Sequence, residues 1–586
     1  MNKPLVVLAL LLLAPTTAEA KRPTPKPAPK SATALGMVSA ADPRAAAAGA
    51  EILRKGGSAT DAAIATMLAL NVVEPQNSGI GGGSFMLHHD AATNATTGLD
   101  GREAAPAAAD PKWFYGPDGQ PLPFTAAMPG GRSVGVPGNL RMMALAHQSY
   151  GKLPWATLFG PAIRLAQGGF AVSPRLHNGL ANFGGHIDPW ARAHFLDAAG
   201  TPVAVGTILK NPEQAALFAS IARNGPDAFY TGTVAQKIVT AVNTAAQNPS
   251  KMTLADLASY RAKERPTVCA TYRGYKVCGM GPPSSGGIAV LIILKQLERF
   301  DMAALGKDSP VAWHLFAESE RLAYADRDLY LGDPDRVTVP IRGLLDPGYI
   351  ASRSMLISPE HSMPTIAAGT PPGAPPRTLA PNADVPGTSD LVAVDSKGNV
   401  AEVTTTIESY FGSGLSVDGV MLNNELTDFD FVPAQNGYLV ANRVEGGKRP
   451  RSSMAPTIVY NPDGSVRIAI GAAGGSTIIA QVAKALVAVL DWKLSAQDAI
   501  ALGLLYAPKL DAVAEKGTQL DAMVPALQAL GERVVIAPLG LKANAIERRN
   551  GVWIGAADPR SEGVAVREDG QVTQIVRAGA VPRPAE

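Results

Sequence analysis

Thr388 is the residue of this sequence whose position could support the most chemistry. It follows Gly387 in the stretch PGTSDLVAVDSKGNV and begins a run of alternating apolar residues that is typical of a β-strand. A threonine at a chain start would carry a hydroxyl nucleophile and a free amine that titrates near neutral pH, so it would hold its own general base. Cleavage between Gly387 and Thr388 would create that group. A Gly-Thr pair alone is typical of an ordinary strand, so other residues must support this prediction.

A glycine turn, GAAGGS at residues 471–476, lies between a predicted strand, Val466 to Ile470, and a predicted apolar helix, Thr477 to Leu490. The backbone N–H groups of Gly474 and Gly475 lie near a helix N-terminus and could point at an oxyanion, because no side chain stands in the way. The turn fits neither the glycine spacing of dinucleotide-binding loops nor the lysine-bearing phosphate loop. An oxyanion hole and a plain turn are the interpretations that remain.

Five polar side chains could form a pocket for an amino acid: Arg102 in LDGREAAPA, Ser452 and Ser453 in KRPRSSMAPT, and Glu425 and Asp428 in LNNELTDFDF. The planar guanidinium of the arginine suits a carboxylate, to which the serines could add hydroxyl donors. The two acids could hold an ammonium group. Taken singly, each residue is more often structural, and the acidic pair could also belong to a solvated loop or a calcium site.

The composition is typical of a large protein whose partner is a small molecule. The chain has 586 residues and a formal net charge of +2, with no basic block beyond the extreme N-terminus, so nucleic-acid binding is not expected. This length allows two to four domains or one large α/β domain with two lobes. A small-molecule substrate is therefore the better hypothesis.

The N-terminus predicts export. Residues 1–20 combine Lys3, an apolar stretch and the small-residue site Ala18-Glu19-Ala20, which together are typical of a cleaved signal peptide; an uncleaved anchor is the alternative. Residues 21–35 are a proline- and lysine-rich linker that should not fold. No later stretch is long and apolar enough to span a membrane. A periplasmic or secreted protein is therefore expected.

The two cysteines, Cys269 and Cys278, are predicted to form a disulfide. If Arg273 and Gly274 form the two-residue turn of a hairpin, the cysteines are directly opposed at a closely spaced, non-hydrogen-bonded pair. A pair of buried thiols is the alternative. Two cysteines with no CxxC motif and few histidines argue against a structural zinc site.

The remaining pattern predicts layered sheets with helices outside, an α/β sandwich. Buried helices are predicted from Pro43 to Lys55 and from Thr60 to just before Pro75, because both stretches are apolar nearly all round. Residues 357–386 are rich in proline, alanine, glycine and serine and predict a loop. Strands are predicted from Leu391 to Asp395 and from Val400 to Ile407.

Many blocks of the sequence resemble one family, the γ-glutamyltranspeptidases (glutathione hydrolases) of the N-terminal nucleophile hydrolase class. The resemblance runs from about Gly36 to Arg560 and rests on blocks that occur in the same order, among them GGSATDAA, PQNSGIGGGSFM, GREAAPA, NGPDAFYTG, PPSSGGI, LNNELTDF, KRPRSSMAPTI, GAAGGS and GAADPR. It implies a four-layer αββα sandwich that needs no metal or organic cofactor. It also implies self-cleavage at Thr388 into a large subunit, residues 36–387, and a small subunit, residues 388–586.

The resemblance implies a role for each site residue. Thr388 would be the nucleophile, and Thr406 would hydrogen-bond its hydroxyl; Gly474 and Gly475 would form the oxyanion hole. Arg102, Ser452 and Ser453 would hold the substrate α-carboxylate, and Glu425 and Asp428 its α-ammonium group. The implied reaction attacks a γ-glutamyl amide such as glutathione, and water or an amino acid or peptide acceptor then resolves the γ-glutamyl-threonine ester.

Three features depart from the pattern of the family. Asp390 stands where a histidine is usual two residues after the nucleophile, which could alter the rate of self-cleavage. Glu408 replaces an asparagine and would add a third acid near the ammonium site. The lid-like segment between Phe429 and Lys448 is somewhat short, which would leave the ester more open to water or bulky acceptors.

Three other functions are consistent with parts of the sequence. A related amidohydrolase with a different acyl group, such as a glutaryl or cephalosporin acylase, would arise if Glu408 rearranged the pocket. A periplasmic amino-acid or peptide binding protein would keep the pocket but never cleave itself. A serine hydrolase is suggested by GRSVG, residues 131–135, but neither the strand nor the helix that such an elbow needs is predicted around it.

Overall fold

The structure is a computed structural model that describes Met1 and residues 35–379 and 387–573. The predicted signal peptide beyond Met1 and the predicted linker before Leu35 lie outside the described residues. Within the two long ranges, no helix combines the length and the apolar character needed to cross a membrane.

The strands are short to medium in length and alternate with helices along the chain. In chain order they are β1 Met37–Ala40, β2 Gly83–Asp90, β3 Ala95–Asp100, β4 Phe170–Ala171, β5 Ile208–Leu209, β6 Lys263–Arg265, β7 Val268–Tyr272, β8 Tyr275–Gly279, β9 Ser389–Val394, β10 Val400–Thr406, β11 Ser416–Val417, β12 Val420–Met421, β13 Ala434–Gln435, β14 Tyr438–Leu439, β15 Thr457–Tyr460, β16 Val466–Ala473, β17 Leu505–Tyr506, β18 Asp511–Glu515, β19 Arg533–Ala537, β20 Lys542–Arg549, β21 Val552–Ala557 and β22 Val564–Arg567.

The α-helices range from one turn to six turns. They are α1 Pro43–Arg54, α2 Ala59–Val73, α3 Phe124–Ala127, α4 Asn139–Tyr150, α5 Trp155–Gly168, α6 Pro174–Phe183, α7 Pro189–Phe195, α8 Pro212–Asn224, α9 Asp227–Tyr230, α10 Gly232–Asn243, α11 Leu254–Ser259, α12 Gly286–Leu297, α13 Met302–Leu305, α14 Pro310–Tyr330, α15 Ile341–Leu344, α16 Pro347–Ser354, α17 Thr477–Leu490, α18 Ala496–Ala501 and α19 Val524–Ala529.

Two large antiparallel sheets form the centre of the fold. The first has seven strands in the order β22-β1-β9-β10-β2-β3-β6, and the second has six in the order β21-β20-β16-β15-β8-β7. Strand β9 of the first sheet packs against β16 and β20 of the second. Every residue of β9 and β10 is buried, because these strands lie in the middle of their sheet and between other layers.

Helices cover the outer face of each sheet, so the fold has four layers. Helices α1 and α2 pack on the first sheet, and α12 and α17 pack on the second. Helix α2 is buried along its whole length, as its apolar sequence predicts. This arrangement is the αββα sandwich expected from the sequence.

The two cysteines are disulfide-bonded at the start of the second sheet. Strands β7 and β8 form a hairpin in which Cys269 lies directly opposite Cys278, with their Cα atoms 4.2 Å apart. Arg273 and Gly274 both have positive φ angles, which suits the two-residue turn between them. The disulfide therefore links adjacent strands at the edge of the sheet.

Candidate active site

Thr388 lies at the entrance to the central strand β9. Its side chain is buried, and its Oγ1 donates a hydrogen bond to Thr406 Oγ1, the last residue of β10, over 3.2 Å. The Thr406 hydroxyl also accepts a 2.7 Å hydrogen bond from the backbone N–H of Glu408. The two neighbouring strands therefore bring the predicted nucleophile and its predicted hydroxyl partner together.

The backbone is strained on both sides of this contact. Thr388 has φ 96° and Glu408 has φ 77°. A positive φ is costly for a β-branched residue, on the order of 1–3 kcal/mol. Because Thr388 lies directly after the peptide bond that the sequence predicts to be cut, cleavage would release the strain of this residue.

Gly387 occupies a position that only glycine fits. A Cβ atom on this residue would overlap the carbonyl oxygen of Glu408 far inside van der Waals contact. The residue before the predicted nucleophile is therefore held against the loop that follows Thr406.

We expect Gly387→Ala to slow self-cleavage about ten- to a hundredfold. The added methyl group must push the peptide unit before Thr388 away from its present position, and a small displacement of a reacting atom costs rate on this scale. The intact mass of the purified chain, followed over time, measures the effect. Gly185→Ala is the matched control and should be cut normally, since no atom lies within 4 Å of its added Cβ and it has no positive φ. Normal cleavage of the Gly387 variant would contradict the prediction.

A cavity of about 30 Å³ collects the predicted site residues. Its lining residues are Arg102, Thr388, Thr406, Glu408, Glu425, Asp428, Ser452, Ser453, Met454, Gly475 and Ile478. Gly474 precedes Gly475 in the turn before α17, and both have positive φ angles. Residues that are far apart in the sequence thus meet around Thr388.

Arg102 contacts the two acids directly. Its guanidinium forms ion pairs with Glu425 and with Asp428, and its Nη2 also donates to the Arg451 carbonyl over 2.8 Å. Sequence reasoning placed the arginine on a substrate carboxylate and the acids on an ammonium group. The structure shows these groups paired with one another, an arrangement that the two charged groups of an amino acid could replace. It also argues against a calcium site, because the guanidinium already supplies the positive charge.

Two acids of the cavity, Glu408 and Glu425, have raised pKa values and hold protons more tightly than free carboxyls. Burial raises the pKa of Glu425 to about 8, against the opposing effect of Arg102 and with a further rise from Asp428. Burial also raises the pKa of Glu408 well above its usual range, and the charges of Asp428 and Glu425 raise it further. Asn424 and Ser409 donate hydrogen bonds to the Glu408 carboxyl group. This cavity is therefore a place where an added cation would be stabilised.

Two charged residues that the sequence analysis did not single out belong to this environment. Glu103, next to Arg102, is fully buried, and burial together with the nearby Glu425 raises its pKa. Arg327 in α14 donates a 2.6 Å hydrogen bond to Ser453 Oγ and a 2.8 Å bond to Ser285 Oγ. Arg327 lies in the stretch AESERLAYADRDLYLGDPD, most of which belongs to α14. The several charged residues of this buried helix were the feature of the sequence that could have indicated a role for Arg327 in the site.

The two adjacent serines differ in their contacts. Ser453 Oγ accepts from Arg327 at the cavity wall, whereas Ser452 Oγ accepts a 3.1 Å hydrogen bond from the backbone N–H of Met454. Both serines line the same cavity as Arg102, and each hydroxyl is held by its own hydrogen bond.

Asp390 and Glu402 form a second buried acidic pair behind the nucleophile. Both are fully buried, and a Cβ atom on Gly471 of the facing strand β16 would overlap Asp390 Oδ2 and Glu402 Oε1 alike, so these two oxygens lie close together. Thr404 Oγ1 donates to Asp390 Oδ2 over 2.9 Å. Burial raises the pKa of Asp390 to about 7, and burial together with Asp390 raises that of Glu402 well above its usual range. The pair therefore keeps at least one shared proton at neutral pH.

We expect this pair to make the folded chain less stable as pH rises from about 5 to about 7.5. Unfolded carboxyls titrate near pH 4, so the folded state binds more protons in this interval and the free energy of unfolding falls, on the order of 3 kcal/mol. Urea unfolding of the uncleaved Thr388→Ala chain measures the slope. Adding Asp390→Asn or Glu402→Gln should flatten it, and an unchanged slope in both variants would contradict a shared proton.

Neither a histidine–glutamate cluster nor the serine of the GRSVG motif is placed for catalysis or metal binding. His314, Glu318 and Glu532 could contact one metal ion, but the Arg321 guanidinium already pairs with both glutamates and His314 Nδ1 lies 2.6 Å from Glu532 Oε1. Ser133 of the GRSVG motif is buried, and its hydroxyl donates to the carbonyls of Met128 and Gly130. A serine nucleophile at Ser133 is therefore excluded by its surroundings.

Comparison with known proteins agrees with this geometry. The family model described as Gamma-glutamyltranspeptidase matches residues 45–567. The glutathione hydrolase proenzyme of Bacillus subtilis (strain 168) is 36% identical over 584 residues, covering 96% of this chain and 97% of that protein. The glutathione hydrolase proenzyme of Escherichia coli (strain K12) is 37% identical over 539 residues, covering 90% of each.

A solved structure supports the same assignment of the fold. The crystal structure of cephalosporin acylase from Bacillus halodurans superimposes with a TM-score of 0.80 at 26% identity, over 94% of this chain and 99% of that one. The four-layer sandwich, together with its similarity to this structure and to the two relatives, places the chain in the class of N-terminal nucleophile hydrolases. Within that class, the chain belongs to the gamma-glutamyltranspeptidase family.

Proposed function

We propose that the protein is a self-processing γ-glutamyl hydrolase and transferase that acts on glutathione and related γ-glutamyl amides. The observation that carries this proposal is the single cavity that joins Thr388 and Thr406 to the charged set of Arg102, Glu425 and Asp428. Two relatives support the proposal, because they match nearly the whole chain and are named glutathione hydrolase proenzymes.

Maturation begins with attack by Thr388 Oγ on the carbonyl carbon of Gly387. The peptide C–N bond breaks as an ester forms, the Thr388 nitrogen takes up the proton lost by the hydroxyl, and water then hydrolyses the ester. The products are a large subunit ending at Gly387 and a small subunit beginning at Thr388. The strained φ of Thr388 and the close packing of Gly387 support this site of cleavage.

Turnover uses the same hydroxyl. The free amine of Thr388 accepts the proton while Oγ attacks the γ-amide carbonyl, and the N–H groups of Gly474 and Gly475 stabilise the oxyanion. The leaving amine takes the proton, and water or an acceptor amine then resolves the γ-glutamyl ester. Thr406 holds the hydroxyl in position through the contact already present in the uncut chain.

The uncut chain has little room for substrate. A cavity of about 30 Å³ corresponds to about one water molecule. Binding of a γ-glutamyl group therefore requires the departure of Gly387 and the replacement of the pairing between Arg102 and its two acids by the substrate's own carboxylate and ammonium groups.

A related acylase is the second candidate, because the structure resembles a cephalosporin acylase over 94% of the chain. The three acids of the cavity, Glu408, Glu425 and Asp428, favour a substrate that brings a positive charge, since an ammonium group would stabilise their ionised forms and an acyl group without one would not. The preference between γ-glutamyl and glutaryl amides therefore separates the two candidates.

The test uses the protein expressed with its own N-terminus. Intact mass under denaturing conditions should show two fragments divided between Gly387 and Thr388, and a single chain after long incubation would contradict self-processing and favour a binding protein. Matched γ-glutamyl and glutaryl anilides should then show release of aniline mainly from the γ-glutamyl compound. Faster release from the glutaryl compound would favour the acylase. The N-terminal residue of the larger fragment tests export with cleavage after Ala20.

A further inference from the structure

The strand that follows the nucleophile is only half paired at its start. Strand β1 pairs with residues 391–394 of β9, so within the described residues Ser389 and Asp390 pair with β10 and with no other strand. In the uncut chain, the closely packed Gly387 also holds Thr388 from its other side. Cleavage would remove that hold and make Thr388 a chain end, and chain ends are poorly ordered unless other contacts tie them down. The mature enzyme would therefore need an anchor directly after Thr388.

The hydroxyl group of Ser389 is placed to provide this anchor. Its Oγ donates a 2.6 Å hydrogen bond to Glu74, the residue that directly follows α2. Lys542 Nζ donates to both carboxylate oxygens of Glu74, over 3.0 Å and 3.2 Å, and to Ser389 Oγ over 3.4 Å. All three side chains are buried. The serine hydroxyl is therefore bonded to an ion pair that solvent and salt screen little.

This ion pair is in its charged form at neutral pH. Burial lowers the pKa of Lys542 to about 8, against the opposing effect of Glu74. Burial also disfavours the ionised form of Glu74, but Lys542 and Arg175, whose guanidinium lies 4.0 Å away, hold the pKa of Glu74 below its usual value. A hydrogen bond to an ionised carboxylate is about twice as strong as one between neutral groups. The Ser389 hydroxyl is therefore held firmly.

The same lysine also connects the nucleophile strand to the oxyanion turn. Lys542 is the first residue of β20 and lies opposite Ala473, the residue before Gly474. Its backbone N–H donates to Gln481 Oε1 over 3.2 Å, and Gln481 Nε2 donates to the Ala473 carbonyl over 2.8 Å. The nucleophile strand β9 belongs to the first sheet, whereas β16 and β20 belong to the second. The ion pair therefore joins the two sheets close to the groups that must react together.

We propose that Ser389, Glu74 and Lys542 are positioning residues of the mature enzyme. They hold the new N-terminal threonine at a fixed distance from the oxyanion hole. The proposal rests on the proposed function, because it requires cleavage before Thr388. None of the three residues lines the cavity around Arg102, so their loss should slow the chemical step rather than weaken substrate binding. Reacting atoms must lie about 3–3.5 Å apart, and a nucleophile that moves away loses rate steeply.

The first test compares two variants of similar side-chain volume, Ser389→Thr and Ser389→Val. Both add bulk at the same buried position, but only threonine keeps the hydroxyl that donates to Glu74. For Ser389→Val, we expect kcat for hydrolysis of a γ-glutamyl anilide to be about ten- to a hundredfold lower than for Ser389→Thr, with KM within about twofold. Self-cleavage, followed by intact mass, should slow less than turnover, because Gly387 still holds Thr388 in the uncut chain.

The second test addresses the ion pair. Lys542→Met should lower kcat to a similar extent, because the Glu74 carboxylate loses the cation that fixes it. Adding Ser389→Val to Lys542→Met should cost no more than about threefold further, since residues of one network do not act additively. Ser416→Val is the matched control and should keep the wild-type kcat: Ser416 Oγ also donates to a carboxylate, that of Asp188 over 2.7 Å, but Ser416 does not line the active-site cavity.

Several results would overturn the proposal. Equal kcat values for Ser389→Thr and Ser389→Val, an equal slowing of cleavage and turnover, or an uncut Ser389→Val chain would each refute the anchor. Fully additive losses in the double variant would remove Lys542 from it. A wild-type chain that is never cut would refute the proposed function and the anchor together.

A wild-type chain that is cut but hydrolyses no γ-glutamyl donor would refute the proposed function alone. Periodate, which oxidises an N-terminal threonine, then measures the exposure of Thr388 without any turnover, and the mass of the small subunit follows the reaction. Oxidation should be faster in Ser389→Val than in Ser389→Thr, and equal rates would refute the anchor.

Discussion

Replacing Thr388 by alanine is expected to leave one uncut chain with no detectable turnover. The change removes the oxygen that would attack both Gly387 and the substrate, together with its 3.2 Å hydrogen bond to Thr406 Oγ1. Loss of the residue that forms the covalent intermediate abolishes the covalent path, an effect of many orders of magnitude. Intact mass and release of aniline from a γ-glutamyl anilide measure the two effects.

Thr388→Ser is the matched control, because it keeps the hydroxyl and loses only a methyl group. This variant should be cut and should retain activity, at a reduced rate. A Thr388→Ala protein that is cut between residues 387 and 388 and remains active would remove Thr388 from the mechanism.

Replacing Arg102 by methionine is expected to raise the KM for a γ-glutamyl substrate about a hundred- to a thousandfold. Arg102 is 1% exposed and pairs with Glu425 and Asp428, so its loss removes the cation for the substrate carboxylate and leaves buried acids without a partner. Truncating one partner of a buried, hydrogen-bonded charge pair weakens binding by about 2–5 kcal/mol. Initial rates over a wide range of substrate concentration measure KM and kcat separately.

Arg102→Lys keeps the charge but not the planar fork, so its KM should lie between those of the wild type and the methionine variant. Thermal unfolding of each variant shows whether the fold survives the change. An unchanged KM in a folded Arg102→Met protein would contradict the assignment of this residue to substrate binding.

The sequence predicted only some of the helices and strands, at places where the apolar pattern agrees with the capping and turn residues that flank it. Helix α17, Thr477–Leu490, has the predicted bounds, and residues 357–379 contain no helix or strand, as their composition indicates. Helix α2 begins at Ala59 rather than at Thr60. Ser58 caps it in a capping box with Asp61, a local hydrogen-bond pattern that outweighs the threonine two residues further on.

The sequence indicated which residues meet around Thr388, but not the ion pairs that they form. A family motif identifies which residues meet, yet it does not state which charges contact each other when no substrate is present, and Arg102 in fact pairs with Glu425 and Asp428. The pairing of Asp390 with Glu402 depends on the register that sets Thr404 opposite Asp390, so that Glu402 and Asp390 lie on the same face of adjacent strands.

The strand order has a consequence for the durability of the molecule. The part of the chain after Gly387 supplies β9, β10 and β22 to the first sheet, where β1, from the part before the cut, lies between β22 and β9. After cleavage, strands of the large and the small subunit would remain paired in both sheets. The two subunits could therefore dissociate only if both sheets opened. Once opened, the pieces would have to find each other as separate molecules, without the covalent connection through which they first folded. The persistence of the mature protein would then depend on the height of its unfolding barrier rather than on a reversible equilibrium.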